Sequence, residues 1–427
     1  MNKSRFERGQ FGRIRLHVMP TKRFKTFSIS LYAGLPLSES TVTSVALIPF
    51  VLRRGTAATP ETIAFRERLD ELYGAGFGFD VYKRGDSQIV QFRMDVINDR
   101  FVSSDKPLLA ESLQLLGEVV TKPAMTEGGH FRPKYVEAEK VTLQKRLEAI
   151  INDKIRYAAE RCLEEMCHDE PYRLHALGQR ADIPAITPES LTAVYRDWLA
   201  EAAFDLYVVG DTTLDEVERL VAEAFAVGEG KAASYKAPAD AAPVKEVRTI
   251  VESMDVSQGK LNMGLRINTL YADDDYPAAL MYNGILGGYP HSKLFLNVRE
   301  KASLAYYAAS RLDGHKGICT IQSGIEIANF ERATAIIQEQ LESMRAGQYS
   351  ELELNQTKAM IANHLRELQD SAGEMIAFDF NAVLSGKERT AEELLEQVQQ
   401  VDAGQIAAIA QKTELDTIYF LRDGKGE

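Results

Sequence analysis

Cysteine is scarce: Cys162, Cys167 and Cys319 are the only three in 427 residues. An odd count with no C-x-x-C excludes a disulfide framework and a zinc knuckle, so the three read as free thiols in a reducing cytoplasm. No run of about 18 apolar residues offers a membrane span. The opening stretch MNKSRFERGQFGRIRLHV is charged and has no apolar core, so it does not read as a secretory signal. Basic charge is in deficit, with 50 Lys and Arg against 62 Asp and Glu and a formal net charge of -12. That excludes a nucleic-acid binder, which needs a basic face, and general attraction to anionic membranes. Histidine is limited to seven residues, none spaced His-x-x-x-His. The densest group, Cys167-His168 with His175, reads as helix-end and loop residues before Glu170-Pro171 rather than a metal site. No G-x-S-x-G and no Cys-His pair with a positioned acid is present, which leaves no independent nucleophilic enzyme in view.

What remains is an ordinary globular composition, 45% hydrophobic and 26% charged. The length exceeds one hydrophobic core, so two or more domains are expected. IRLHVM and FKTFSISLYAG alternate as paired strands. A capped apolar helix follows in SESTVTSVALIPFVLRRGT, ending near Gly55, and a second helix runs from Pro60 to Tyr73. GFGFDVYK and SQIVQFRMDVI form a hairpin around Arg84-Gly85-Asp86, a tight turn that also spells an adhesion motif. Helical patterns fill 105–120, 131–168 and 188–199, and strand FDLYVVGD with a helix from Asp215 closes the half. Residues 228–248 are rich in Ala, Gly, Pro and Lys without apolar periodicity and read as a linker.

The second half repeats this order. KLNMGLRIN is a strand, PAALMYNGILGG a helix, and SKLFLNVREK, LAYYAASRL, DGHKG and ICTIQSGIEI form a helix–strand–turn–strand unit. Long helices occupy 328–346 and 350–371, another begins near Asp402, and strand DTIYFLRD takes the place of FDLYVVGD. A period of about 210 residues implies duplication. The expected fold is α+β: two homologous domains, 1–227 and 249–427, each a mostly antiparallel sheet with helices on one face.

This order of elements, with R-E-K-x-x-L-A-Y in the second half, resembles the insulinase or pitrilysin family of zinc metallopeptidases over nearly the whole chain. The resemblance implies that the two domains form a clamshell. That family carries an inverted zinc motif, H-x-x-E-H, a few residues before a Gly-Thr. Alignment on Gly55-Thr56 puts Ala46, Pro49 and Phe50 at the three motif positions. Two imidazoles one helical turn apart would hold Zn²⁺ and a carboxylate would activate water. Ala and Phe do not ligate, and Pro is no base. The family's third ligand, a Glu on a later helix, falls near Gln144-Lys145, with Glu137 and Glu139 as alternatives. No metal is therefore expected in this chain. FKTFSISLYAGLPL, LDELYGAGFG and NDKIRYAAERCLEEMCHDEPY further resemble a subgroup without the zinc motif. Its members are encoded beside a zinc-bearing homologue in Bacillus-type bacteria and are associated with the 5-aminopentanol modification of elongation factor P.

The resemblance also gives meaning to Gly284–Tyr306, GILGGYPHSKLFLNVREKASLAY. In the family an Arg and a Tyr seven residues later assist catalysis, which carries over to Arg299 and Tyr306. Read as ordinary structure, Arg299 is a surface ion pair with Glu300, and Tyr306 a half-buried strand aromatic. Gly287 and Gly288 are candidate substrate-loop residues; as ordinary structure, they and Gly284 end a helix where positive φ suits glycine. The family's two-subunit members imply a zinc-bearing homologue as partner, with zinc in that partner, a peptide substrate, and Arg299 and Tyr306 supplied in trans. A homodimer and a peptide- or protein-binding scaffold with no catalytic role remain the alternatives.

Overall fold

A computed structural model describes residues 5–103, 106–228, 230–238 and 243–424. Packing divides the chain into two compact units. The first holds the chain up to Glu148, Leu174–Lys236 and the short Ala372–Ala377. The second holds Ala149–Arg173, Ala237–Ser371 and Phe378 onward. Residues 149–173 precede the linker in sequence, yet they fold with the second unit.

The first sheet contains β1 (Glu7–Phe11), β2 (Ile14–Pro20), β3 (Thr26–Pro36), β4 (Gly76–Arg84), β5 (Ser87–Ile97) and β6 (Ala203–Gly210), in the order β1-β2-β6-β3-β5-β4. Only β2 and β6 run parallel. Gly85, at φ +51°, turns β4 into β5, so Arg84-Gly85-Asp86 is a hairpin tip. The second sheet contains β7 (Arg248–Ser253), β8 (Gly259–Arg266), β9 (Ala305–Asp313), β10 (Ile318–Ile325) and β11 (Glu414–Arg422), in the order β7-β11-β8-β10-β9, with β7 and β11 parallel. Strand for strand this is β2-β6-β3-β5-β4 of the first sheet, including the position of the one parallel pair. The duplication is therefore a shared topology, and β4 and β9 are equivalent edge strands.

Apolar residues of β8, β10 and β11, among them Leu261, Met263, Ile321 and Phe420, form one core with helices Tyr276–Asn283, Phe330–Arg345 and Ala403–Lys412. A further helix, Lys154–Met166, packs its Ala158 and Cys162 with Tyr419 and Leu421 of β11. Gly264 of β8 leaves room there for the Met166 thioether; a Cβ would strike it. The helical pattern over 131–168 is thus two helices, Pro133–Asn152 and Lys154–Met166. Asp153 makes the break, its carboxylate accepting from the Ile155 and Arg156 amides at 3.2 Å as an N-cap. Glu170 then ties this segment down between Arg266 (2.7 Å) and the fully buried Lys316 (2.7 Å).

The linker also makes specific contacts. Tyr235 donates to Asp205 of β6 at 2.9 Å, and Arg15 of β2 reaches the Ala233 carbonyl at 2.7 Å. Arg15 grips Asp205 through two bonds, 2.6 and 2.7 Å, and His17 adds a third at 2.8 Å. Burial alone would raise the Asp205 pKa, but the bonds and charges of Arg15 and His17 outweigh it and hold it below the usual range.

Candidate functional site

Helix Val42–Leu52 is apolar and almost wholly buried. Ala46 and Phe50 are completely inaccessible, and Pro49 lies inside the helix, where it lacks the N–H of a normal turn. Phe50 packs edge to face on Phe79 of β4, centroids 4.8 Å apart. From helix Pro133–Asn152, Arg146 reaches this corner with its guanidinium 4.7 Å from the Phe50 ring and 5.7 Å from Phe79. Arg53 lies 5.4 Å from the Phe79 ring. Gln144 instead bonds Glu148 at 3.0 Å and Lys145 is exposed, so the expected Gln144-Lys145 position is displaced to Arg146.

Glu137 is exposed, whereas the Glu139 side chain is 0% exposed and meets Arg54 at 2.5 Å and Arg53 at 3.8 Å. Burial lowers the Arg53 pKa; Glu139 opposes that, while Arg54 and Arg146 add to it. This donor set does not fit zinc. Two motif positions present carbon, the third presents proline, and the Arg146 cation lies over Phe50. Among the described residues no group of three His, Cys, Asp or Glu side chains is placed to hold a metal ion.

The second region is the Arg/Tyr segment. Helix Tyr276–Asn283 widens at once into a π-helical turn, Gly284–Gly288, and a second such turn spans Phe295–Lys301. The wide register is visible where the Ala302 amide donates to the Asn297 carbonyl five residues back, at 3.2 Å. Such turns are uncommon and gather at functional positions. Arg299 lies in the second one. Its guanidinium sits 4.5 Å from the Phe295 ring, and its side chain is 42% exposed. The Glu300 carboxylate is 3.7 Å away, a loose exposed pair of the kind that contributes little.

Ser303, at φ +52°, turns the chain into β9. There the pairing passes from Gly324 opposite Tyr307 to Ile325 opposite Ala305. Tyr306 is the extra residue of a β-bulge, a device that re-aims one side chain. It is 69% exposed, so it is not the half-buried strand aromatic of the ordinary reading. Tyr307 packs over Gly324, where a Cβ would strike its ring, and burial pushes its phenol up to about 12. No hydrogen bond joins Arg299 to Tyr306 among the described residues.

Gly284, Gly287 and Gly288 do lie in the last turn of a helix, as the ordinary reading has it, but none has the positive φ that reading invoked. Gly287 is buried, and a Cβ there would strike the Ser310 backbone of β9. A Cβ at Gly284 would strike Thr357. These two glycines permit close approach, and only Gly288 is exposed.

The remaining features are structural. His168 pairs with Asp169 at 2.9 Å, and His175 accepts from the Leu177 amide at 3.0 Å. All three cysteines are free and buried. Burial pushes the Cys319 thiol up to about 12, far from a reactive thiolate. No helix among the described residues is long and apolar enough to cross a membrane.

Two similarly built α+β units and a metallopeptidase helix stripped of its ligands define the class, that of inactive zinc-peptidase homologues. A family profile described as "Peptidase M16 inactive domain" matches residues 185–361, which include Arg299 and Tyr306. The chain is 40% identical over 422 residues to "Probable inactive metalloprotease YmfF" of Bacillus subtilis (strain 168), covering 98% of each. It superposes on a conserved protein from Enterococcus faecalis V583 with a TM-score of 0.90 and 33% identity, over 99% of this chain and 100% of that one. A peptidase M16 inactive domain from Pseudomonas fluorescens shares the fold at a TM-score of 0.79 and 20% identity, over 99% and 98% of the two chains. The chain belongs to the peptidase M16 (insulinase/pitrilysin) family, among its inactive members.

Proposed function

We propose that this chain is the metal-free, non-catalytic subunit of a two-chain M16 peptidase. A zinc-bearing homologue supplies metal and base, and this chain helps enclose the peptide and lends Arg299 and Tyr306. The observation that carries the reading is a contrast: Ala46, Pro49 and Phe50 are buried, with Arg146 over the Phe50 ring, while Tyr306 stands outward on a bulge and the one acid near Arg299 among the described residues is loosely held.

The chemistry suits the residues. A guanidinium is a permanent fork-shaped donor that holds a substrate carbonyl. A phenol donates to the oxyanion that forms at the scissile carbon, where a donor fixed in advance favours the transition state. By resemblance, the partner is the zinc-bearing member of the pair associated with elongation factor P modification, and co-purification from the native host tests that. Metal analysis and peptide cleavage, with the chain alone and with its partner, test the rest. Stoichiometric zinc and turnover by the isolated chain would sink it.

The open edges of β4 and β9 favour a second reading, a scaffold that holds a peptide by strand addition without chemistry. That reading predicts unchanged turnover of the complex after Arg299→Ala. The first predicts a loss of at least about tenfold in kcat. A homodimer with no zinc-bearing partner predicts self-association at working concentration and no cleavage in any mixture.

A further inference from the structure

The corner that no longer fits zinc has a chemistry of its own. In a chain of net charge -12, Arg53, Arg54 and Arg146 gather at this corner, and only Arg53 and Arg54 reach a carboxylate there. That carboxylate, Glu139, is committed to Arg54 at 2.5 Å and reaches Arg53 only at 3.8 Å. Arg146 has no acid of its own among the described residues; aromatic rings hold it, 4.7 Å from the Phe50 centroid and 5.7 Å from that of Phe79. A guanidinium held against a ring keeps N–H groups at its edge for a carboxylate, and stacking limits the side-chain freedom lost on binding. Arg53 lies over the same Phe79 ring, so two like charges are gathered with no anion paired to the second.

Phe79 belongs to β4, whose only strand partner among the described residues is β5. No second strand covers the other edge of β4 among the described residues, so that edge can take an extended peptide alongside Phe77 and Phe79. Phe77 and Phe79 both point to the Phe92 side of the sheet, the side of helix Val42–Leu52. Alternate side chains of a peptide paired to β4 would lie on that side, beside Arg53 and Arg146.

We propose that the vacated metal corner is a carboxylate-binding subsite, in which Arg146 and Arg53, held over Phe50 and Phe79, receive a carboxylate of a peptide running along the edge of β4. A fixed positive charge has replaced the metal, and it selects peptides with an acid at one position instead of polarising a scissile bond. The inference rests on peptide binding by this chain but needs neither a partner nor Arg299 and Tyr306.

Fluorescence polarisation on the full chain tests it with three labelled probes. These are Gly-Thr-Val-Glu-Val-Thr-Gly-amide, the same peptide with Gln for Glu, and the Gln peptide with a free C-terminal carboxylate. The expected result is a Kd at least about tenfold lower for the Glu peptide than for its Gln twin, as for one charge-assisted pair. An advantage confined to the free-carboxylate probe also supports the subsite and assigns it to a peptide C-terminus. In Arg146→Met with Arg53→Met the advantage should vanish while an unchanged melting temperature reports a folded chain; Arg146→Lys should restore part of it. Equal binding of all three probes to the native chain overturns the carboxylate subsite and leaves peptide binding intact. An advantage that survives in the double variant overturns it as well. If no probe binds, peptide binding by this chain fails, and the subsite fails with it.

Discussion

The two regions that the family resemblance marks, residues 46–50 and 299–306, differ sharply in this chain. The metal corner of the first unit is filled: Phe50 is sealed against Phe79, Arg146 lies above, and Glu139 is locked to Arg54. The Arg/Tyr segment of the second unit is poised: wide helical turns and a bulge leave Arg299 and Tyr306 outward. A residue released from catalysis is free to become packing, as at Ala46 and Phe50. Tyr306, 69% exposed, gains little from packing in the place where the bulge puts it. On the reading proposed above, the first corner serves structure and recognition, and the second segment works on a substrate.

Breaking the filled corner should cost most. Arg54→Ala leaves the buried Glu139 with Arg53 alone at 3.8 Å. Loss of one partner of a buried pair costs about 3–5 kcal/mol, so denaturant unfolding should show a deficit of that size. Phe50→His, which only changes the ring, should bind no zinc by metal analysis, because Ala46 and Pro49 still supply neither ligand nor base.

A smaller effect should follow from tightening the poised segment. Gly287→Ala drives a methyl into the Ser310 backbone, which cannot rotate away. Overpacking of this kind costs about 1–3 kcal/mol, and it should lower the melting temperature while shifting the strand that carries Tyr306.

Acid should loosen each unit through its own carboxylate. Burial alone would raise the Glu170 pKa, but bonds and charges of Lys316 and Arg266 hold it below the ordinary value. Asp205 is depressed in the same way by Arg15 and His17. A folded pKa below the unfolded one stabilises above the unfolded value, about 4 for these side chains, and the gain is lost as pH falls toward the folded value. Unfolding free energy should therefore decline below pH about 4, and Glu170→Gln should flatten the acid limb of the second unit.

Much of this contrast is legible in the sequence. Alternation and β-branched runs mark the strands, and the rhyme of FDLYVVGD with DTIYFLRD anticipates β6 and β11, which hold equivalent places. The empty zinc motif is visible letter by letter. The misses are features that depend on one residue or on distant partners. Asp153 breaks a helical pattern that apolar spacing carries straight through, although Asn152-Asp153 is a capping signal. Arg146 is one position from Gln144-Lys145, and only the ring of Phe50 decides between them. The seven-residue spacing of Glu139 and Arg146, two helical turns on one face, is a signal that could have found the pair. The bulge at Tyr306 inserts one residue into an otherwise regular strand and leaves no mark in the letters. The linker composition conceals Tyr235, which anchors through Asp205, a contact 30 positions away.

The smallest structural effect carries the sharpest functional one. Tyr306 is 69% exposed, so Tyr306→Phe should change stability by no more than about 0.5 kcal/mol. The decisive measurement is kcat for peptide cleavage by the complex of this chain with its zinc-bearing homologue, native against Tyr306→Phe. The account predicts a loss of about tenfold or more with an unchanged melting temperature. Equal kcat in the two complexes would contradict it and leave a scaffold in place of a catalytic accessory.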